Sequence, residues 1–268
     1  MKTPLVEVSI PSIYRNRAGM RVPVPGRMAR ATPDTAQALA GIGRDLESRG
    51  GRLVLSDLFR SHDMQLQAHL DWRSGKKKAF SPAPGGSLHE SGRAFDISLE
   101  DLGPVSLADF WGIARAHGVV PIIKAPNAGA SESWHFECRG SHQKVLDHYQ
   151  RGAGSNMKPY AACSASAILA IGERVDTFGK RQPEAQLQAS LIRAGHDIGN
   201  IDGEIGGRTR GALRDLGVAD GDLASILVAV EAITQQTWLA EYRSATTPVL
   251  ASMGFEATAE PDHLSLSA

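Results

Sequence analysis

The chain carries Ser87-Leu88-His89-Glu90-Ser91-Gly92-Arg93-Ala94-Phe95-Asp96 and, further along, Glu132-Ser133-Trp134-His135. These stretches offer two histidines and an aspartate, which can serve as metal ligands. They also contain Glu132, which is not needed as a ligand. A catalytic zinc takes three protein ligands, leaves one coordination position open and works with a nearby base. The two stretches therefore predict a catalytic zinc site, and the fold must bring them together.

Local sequence pattern predicts where the first two ligands lie. His89 and Asp96 are too far apart for adjacent turns of one helix, and Gly92 indicates a tight backbone point between them. Residues 95–99 alternate between apolar and polar side chains, with Asp96 on the polar face. We therefore expect His89 in a loop and Asp96 on the strand that follows it.

The second stretch alternates over residues 131–137, which also predicts a strand. If this strand pairs with the first, His135 can face Asp96. On extended backbone, however, Glu132 and His135 point to opposite sides of the sheet, because side chains alternate along a strand. A bulge or a turn would bring them together, and the spacing leaves this geometry open.

The two stretches together resemble the signature of the M15 family of zinc peptidases: His89-x-x-Gly92-x-x-x-Asp96, then Glu132-x-Trp134-His135. That family contains D-alanyl-D-alanine carboxypeptidases and dipeptidases, and L-alanyl-D-glutamate endopeptidases of phage endolysins. The resemblance covers residues 53–137 approximately. It implies that His89, Asp96 and His135 bind one Zn²⁺ per chain, and that Glu132 is the catalytic base.

The same resemblance suggests further site residues. Arg60 corresponds to the substrate-binding arginine of the family, either as a carboxylate clamp or as a cation that stabilises an oxyanion. Ser87 is a candidate for orienting substrate, and Trp134 for packing beside the metal or lining the cleft. Gln65 and Gln67 both lie near the family's glutamine position, and the choice between them stays open.

Composition narrows the classes of partner. The 268 residues contain 29 Lys+Arg and 29 Asp+Glu, so the near-zero net charge does not favour nucleic acid or an anionic membrane as partner. No apolar run approaches the length of a membrane span. The lysines at positions 76–78 are interpreted as a solvated loop. Cys138 and Cys163 form no disulfide framework and are expected to be free thiols.

The order of predicted elements gives an α+β fold, with a small antiparallel or mixed sheet flanked by helices, followed by an all-α domain. The resemblance implies the hedgehog/DD-peptidase type of sheet. Helices are predicted at 33–49, 62–73, 107–117, 143–150, 164–176, 184–195 and 223–242, and further strands at 52–56 and 119–123. The predicted organisation is an extended arm (1–31), a zinc peptidase domain (32–150), a linker (151–162), a helical domain (163–250) and a disordered tail (251–268).

The helical domain resembles the small peptidoglycan-binding domain of many cell-wall hydrolases. The similar positions cover about thirty residues, from Leu187-Gln188 through Asp202-Gly203 to Ala212-Leu213. The likeness fades at Arg214-Asp215, where that family has an aromatic residue and a glutamine. The resemblance implies that peptidoglycan is the partner of this domain.

The sequence thus predicts a zinc metallopeptidase that cleaves peptides of bacterial peptidoglycan. D-Ala-D-Ala carboxypeptidase or endopeptidase activity is favoured, and an L-Ala-D-Glu endopeptidase of a phage endolysin or secreted effector is the alternative. A different class, a non-catalytic zinc-containing wall-binding protein, is disfavoured because Glu132 is left over beside the ligands. The N-terminus lacks the apolar segment of a secretory signal, so we expect synthesis in the cytoplasm and delivery to the cell wall by lysis or a secretion system.

Overall fold

The computed structural model describes residues 2–243, so the predicted tail and the end of the helical domain lie outside the described residues. Its main sheet has six strands in the order β3-β2-β5-β6-β8-β7, and β1 pairs with β4 separately. All of these pairs are antiparallel except β2 with β5, so the sheet is mixed, which is one of the two predicted arrangements. The strands are β1 Val6–Glu7, β2 Pro11–Arg15, β3 Arg21–Pro23, β4 Arg30–Ala31, β5 Leu55–Asp57, β6 Ala94–Ile97, β7 Val120–Pro121 and β8 His135–Glu137.

Helices flank this sheet and make up the C-terminal part of the described chain. They are α1 Pro33–Glu47, α2 His62–Arg73, α3 Leu107–Ala116, α4 Gln143–Gln150, α5 Pro159–Ile171, α6 Gln182–Arg193, α7 Gly207–Asp215 and α8 Leu223–Thr237. The predicted bounds of α2 and α4 are confirmed, and α1 and α3 end within two residues of the prediction. No helix among the described residues has the length and apolar character that crossing a bilayer requires.

The core of the N-terminal part lies between α1, α3 and the sheet. Helix α1 begins at Pro33, a residue suited to the first helical position, and buries Leu39, Ile42 and Leu46 on one face. These side chains share a cluster with phenylalanines of β6 and β8. The buried face of the sheet therefore fixes the strands that carry the predicted ligands.

An extended arm is predicted for residues 1–31, but in the structure residues 2–31 contribute four short strands. Ile10, Val24 and Ala31 are buried in the main core, and the Tyr14 hydroxyl donates a hydrogen bond to the carbonyl of Ser56. The prolines and arginines of this segment led to the prediction of an arm, although the apolar residues between them are buried in the core. Proline is compatible with edge strands and strand ends, where its missing N–H is not needed.

Three further strand predictions differ from the structure in their bounds. The strand predicted at 52–56 lies at Leu55–Asp57, and the one predicted at 119–123 is reduced to Val120–Pro121. The strand predicted at 95–99 ends at Ile97, and a 3-10 helix follows over Leu99–Leu102. Apolar alternation therefore located these strands but not their ends.

The predicted linker, residues 151–162, is interrupted by the start of α5 at Pro159. Helix α5 packs Cys163 and Ala167 against Leu88, and Tyr149 of α4 shares a core cluster with the helices that follow. From residue 159 to residue 237 the described elements are all helical. Division of the chain into two independent domains stays a prediction.

Candidate metal centre

Asp96 and His135 are brought together by strand pairing. They are direct partners in the antiparallel ladder of β6 and β8. Nδ1 of His135 lies 2.9 Å from Oδ1 of Asp96, and both residues are buried. The strand pairing that would let His135 face Asp96 is therefore present in the structure.

His89 reaches the same point from a short 3-10 helix, Leu88–Ser91, that precedes β6. Ser87 caps this helix by accepting a hydrogen bond from the backbone N–H of His89, and Gly92 ends it with a φ of 67°. A side chain at Gly92 would also meet the backbone of Ala31, with only 3.0 Å between the atoms. Glycine is required here for both reasons, and Ser87 has a structural role beside its position on the cleft.

The three predicted ligands form a buried group that fits a metal ion. Their donor atoms all lie within 4.8 Å of one another. Among the described residues, no other group of three or more His, Cys, Asp or Glu side chains has a spacing that could hold a metal ion. Nε2 of His89 is 3.3 Å from Oδ1 of Asp96 and has no hydrogen-bond partner although it is buried. Two imidazoles and a carboxylate with such an unpartnered nitrogen match the donor set of a catalytic zinc.

Acceptors outside the group fix the orientation of both imidazoles. Nδ1 of His89 lies 2.5 Å from the carbonyl oxygen of Leu58, and Nε2 of His135 lies 3.2 Å from Oε1 of Glu137. Glu137 in turn accepts a hydrogen bond from Nε of Arg139 at 2.6 Å. Such acceptors orient histidine ligands in metal sites. The sequence reasoning missed Glu137, although its position two residues after His135 on one strand places both on one face.

Charge within the group follows from this geometry. Burial opposes ionisation of Asp96, but the neighbouring imidazole of His89 and the hydrogen bond from His135 hold its pKa well below the ordinary range. Burial also opposes a charged His135, yet hydrogen bonds to Asp96 and Glu137 raise its pKa to about 10. The site therefore favours positive charge between these carboxylates.

Glu132 reaches the cleft through a turn. Its side chain can therefore lie on the same side of the sheet as that of His135, which extended backbone would not allow. Its φ is 66°, the left-handed region that non-glycine residues rarely adopt, and the N–H of His135 donates to its carbonyl oxygen. The segment predicted as a strand from residue 131 is therefore extended only from His135 onwards. Oε1 of Glu132 is buried without a hydrogen-bond partner, and burial raises the pKa of its carboxyl group.

Arg60 lies beside the group but is held by protein acceptors. Nε donates to Oδ2 of Asp57 at 2.7 Å, and Nη1 donates to Oε1 of Gln65 at 3.1 Å. Nη2 is 2.5 Å from the same oxygen of Asp57 and 3.7 Å from Oδ2 of Asp96. Its positive charge is therefore fixed next to a predicted ligand.

The open choice between two glutamines is resolved by their contacts. Gln65 is fully buried, and its side chain binds Arg60, Ser81 and the carbonyl of Pro82. Gln67 is exposed and donates to Asp71. Gln65 is thus the glutamine that supports the site.

A cleft of about 520 Å³ opens in front of the group. Trp134 and Ser87, the two candidates for contact with substrate, line it, and so does Lys77. The interpretation of residues 76–78 as a solvated loop is wrong for Lys77, which is half-buried, and right for the two exposed lysines beside it. Lys158 and Tyr160 at the start of α5 also line the cleft, which the assignment of residues 151–162 to a linker did not foresee.

The remaining described histidines and the cysteines have other surroundings. His62 lies 2.9 Å from Asp176, and the buried His142 and His148 bind Ser166 and the carbonyl of Gly199. Both cysteines are buried and unpaired, as expected, and burial raises the pKa of each thiol to about 12.

Comparison with known proteins gives little further information. No protein-family model matches the chain, and no curated protein matches it. Among solved structures, the LdcB LD-carboxypeptidase, whose structure is described as revealing the molecular basis of peptidoglycan recognition, is similar at 18% sequence identity and a TM-score of 0.38. The similarity covers 50% of this chain and 66% of that chain. A TM-score this low assigns neither a fold nor an activity.

Proposed function

We propose that this protein is a zinc-dependent peptidase that cleaves peptides of bacterial peptidoglycan. One observation carries the proposal: two histidines and an aspartate form a buried ligand group, and a carboxylate oxygen of Glu132 without a partner lies in the same cleft. A structural zinc fills all four positions with protein ligands, whereas this group has three and a spare carboxylate. The peptidoglycan substrate rests on the resemblance of the motif to the M15 peptidases.

His89, Asp96 and His135 would hold the ion. When bound there, zinc acidifies water and polarises a carbonyl group. Glu132 accepts the proton of the attacking water and returns it to the leaving amine, and its raised pKa suits both transfers near neutral pH. The fixed guanidinium of Arg60 stabilises the negative charge that develops on the carbonyl oxygen.

Within this proposal, cleavage at D-Ala-D-Ala, as carboxypeptidase or endopeptidase, is favoured over cleavage at L-Ala-D-Glu. The cleft contains cations for a substrate carboxylate, which a carboxypeptidase must bind at the chain end. The helical C-terminal part would hold the enzyme on peptidoglycan. The site of action would be the cell wall, in the periplasm or outside the cell.

Digestion of purified peptidoglycan by the zinc-loaded protein, followed by mass analysis of the muropeptides, tests the proposal. Loss of one D-alanine indicates carboxypeptidase activity, and separation of cross-linked stems indicates an endopeptidase. Release of whole stem peptides from L-alanine indicates the alternative bond. The zinc-loaded Glu132→Gln protein is the control. Unchanged muropeptides with wild type would reject the peptidase and leave a wall-binding protein.

A further inference from the structure

The cleft contains cations of two kinds. Arg60 is engaged by Asp57 and Gln65, so most of its hydrogen-bonding capacity is used within the protein. Lys77 and Lys158 line the same cleft, and neither has a side-chain hydrogen bond or ion pair within the described residues. The ion pair to Asp71 belongs to the neighbouring Lys76. A substrate carboxylate would therefore meet an occupied guanidinium and two unpaired ammonium groups.

Lys77 is the more enclosed of these lysines. Its side chain is half-buried, whereas Lys158 is exposed. Burial and the charge of Arg60 both lower the pKa of Lys77, while Asp57, Asp96 and Glu132 act on it in the opposite direction. Lys77 lines the same cleft as Glu132 and the three candidate ligands.

The segment that carries Lys77 is anchored to α2. The backbone N–H of Lys77 donates to the carbonyl of Asp71 at 2.9 Å. Beyond it, Trp72 packs edge-on against Phe80 with 4.8 Å between ring centroids, and His69 binds the carbonyl of Ser81 at 2.8 Å. The lysine is thus presented from a backbone that is tied on both sides.

A half-buried ammonium group loses part of its hydration and gains stability when an anion pairs with it. We propose that Lys77 is the residue that binds a carboxylate of the substrate, beside the bond that is cut. The inference rests on the proposed function and extends it, because it names a carboxylate-bearing peptide as the substrate. Arg60 is then the residue that acts near the scissile carbonyl, and Lys158 adds positive charge at the exposed side of the cleft.

Two peptides carry such a carboxylate in different places. In a peptide ending in D-Ala-D-Ala it is the chain terminus, and in one containing L-Ala-γ-D-Glu it is the α-carboxylate of D-glutamate. Amidation removes the negative charge in either case and leaves the rest of the peptide unchanged. Comparing each peptide with its amide therefore isolates the contribution of the carboxylate.

The test is titration calorimetry with zinc-loaded full-length Glu132→Gln protein, whose turnover is expected to be lower by about a hundredfold or more. The peptides are diacetyl-L-Lys-D-Ala-D-Ala, and L-Ala-γ-D-Glu-L-Lys whose lysine carboxyl is amidated. Each is compared with the same peptide in which the terminal D-alanine carboxylate or the D-glutamate α-carboxylate, respectively, is amidated as well. Adding Lys77→Met should weaken binding of whichever of the two carboxylate peptides is the ligand by about ten- to hundredfold, and should leave the affinity for the amide of that peptide unchanged. Lys78→Met, a change at an exposed neighbour without a side-chain partner among the described residues, is the matched control. Lys77→Arg should retain the preference for the carboxylate. Zinc content and circular dichroism establish that each variant is folded.

Equal binding of the carboxylate peptides by the Lys77→Met and Lys78→Met proteins would overturn the inference. It would also be overturned if the Glu132→Gln parent with both lysines intact bound acid and amide equally, or bound neither. The muropeptide digestion is a separate readout. If wild type cleaves no peptidoglycan but the binding of carboxylate peptides depends on Lys77, the peptidase proposal fails and the carboxylate site stands. If wild type cleaves peptidoglycan, and Lys77→Met cleaves the acid and the amide peptides with KM values unchanged from wild type, the peptidase proposal stands and the carboxylate site at Lys77 fails.

Discussion

Nδ1 of His135 lies 2.9 Å from Oδ1 of Asp96 because the two residues are direct partners in neighbouring strands. A slip of one residue would turn one of these side chains to the other face of the sheet, since side chains alternate along a strand. The packed core behind β6 and β8 prevents such a slip. The geometry of the candidate metal centre is therefore specified by the same apolar pattern that specifies the sheet.

The first prediction concerns the metal. His89→Ala should lose most bound zinc, because it removes a buried ligand nitrogen that has no other partner. Elemental analysis of the purified protein measures this loss. His117→Ala should keep its zinc, because His117 binds Asp45 away from the ligand group. Zinc retained in full by the single alanine variants of His89, Asp96 and His135 would disprove the assignment.

The second prediction concerns Glu132. Glu132→Gln should keep zinc and fold but lose roughly a hundredfold or more in turnover, because an amide cannot accept the proton. The base acts when ionised, and burial raises its pKa, so wild-type kcat/KM should fall with decreasing pH from a point above the ordinary glutamate value of 4.5. The residual rate of the variant should lack this acid limb. Near-normal rates with metal in place would assign the base elsewhere.

The sequence predicted the residue types of the candidate ligands, the strands that carry Asp96 and His135, and a glutamate beside them. These predictions follow from side-chain chemistry and from the alternation of apolar and polar residues, which are both local features of the sequence. It did not predict the turn at Glu132, because a positive φ at a glutamate has no signal in a single sequence. The surroundings of Arg60 and Lys77 were also missed, since they depend on contacts between distant segments.

The N-terminal strands and the packing across residues 151–162 show a second limit. Proline, arginine and glycine are typical of loops and linkers, yet here Pro11 and Pro159 lie in a strand and at the start of a helix. Local composition indicates what a segment can do in isolation. Burial against the rest of the protein decided the outcome for Ile10 and for Cys163.

The third prediction concerns the ion pair between His62 and Asp176, which links α2 to the segment before α6. The hydrogen bond raises the pKa of His62 and lowers that of Asp176. The histidine's contribution to stability is complete below its ordinary pKa of 6.5 and is lost as pH rises through the raised value. The aspartate's contribution is present above 3.8 and is lost as pH falls through the lowered value.

Asp176→Asn should therefore lower the urea midpoint most between these two pH values and least in alkaline solution. Urea unfolding of wild type and variant at about pH 5 and about pH 9 measures the difference. Asp220→Asn, at an exposed aspartate without a side-chain partner in the described chain, should have a small effect at both. A difference for Asp176→Asn that does not change with pH would contradict the prediction.

The fourth prediction concerns Glu241, a buried carboxylate that contacts residues from three distant parts of the chain. It accepts hydrogen bonds from the N–H and hydroxyl of Ser141 and from Arg193, and it lies 3.1 Å from Nη2 of Arg93. Glu241→Ala leaves two buried guanidinium groups short of a partner, so we expect a loss of about 3–5 kcal/mol in the free energy of unfolding. Urea titration measures this loss. The exposed Glu47→Ala is the control, and a loss below about 1 kcal/mol for Glu241→Ala would contradict the prediction.

The last prediction separates Arg60 from Lys77. The guanidinium of Arg60 is fixed by Asp57 and Gln65, so it acts as a preorganised charge and has little capacity left to clamp a carboxylate. Arg60→Ala should weaken transition-state stabilisation by roughly 2–4 kcal/mol, a thirty- to thousandfold loss in kcat/KM. The loss should be equal for free and amidated substrates. Arg73→Ala, at an exposed arginine that ends α2, is the control, and Arg60→Lys tests for charge without the planar fork. If Arg60→Ala instead becomes indifferent to amidation while Lys77→Met still prefers the free acid, Arg60 is the clamp despite its occupied fork. The carboxylate would then have to displace Asp57 or Gln65 from the guanidinium.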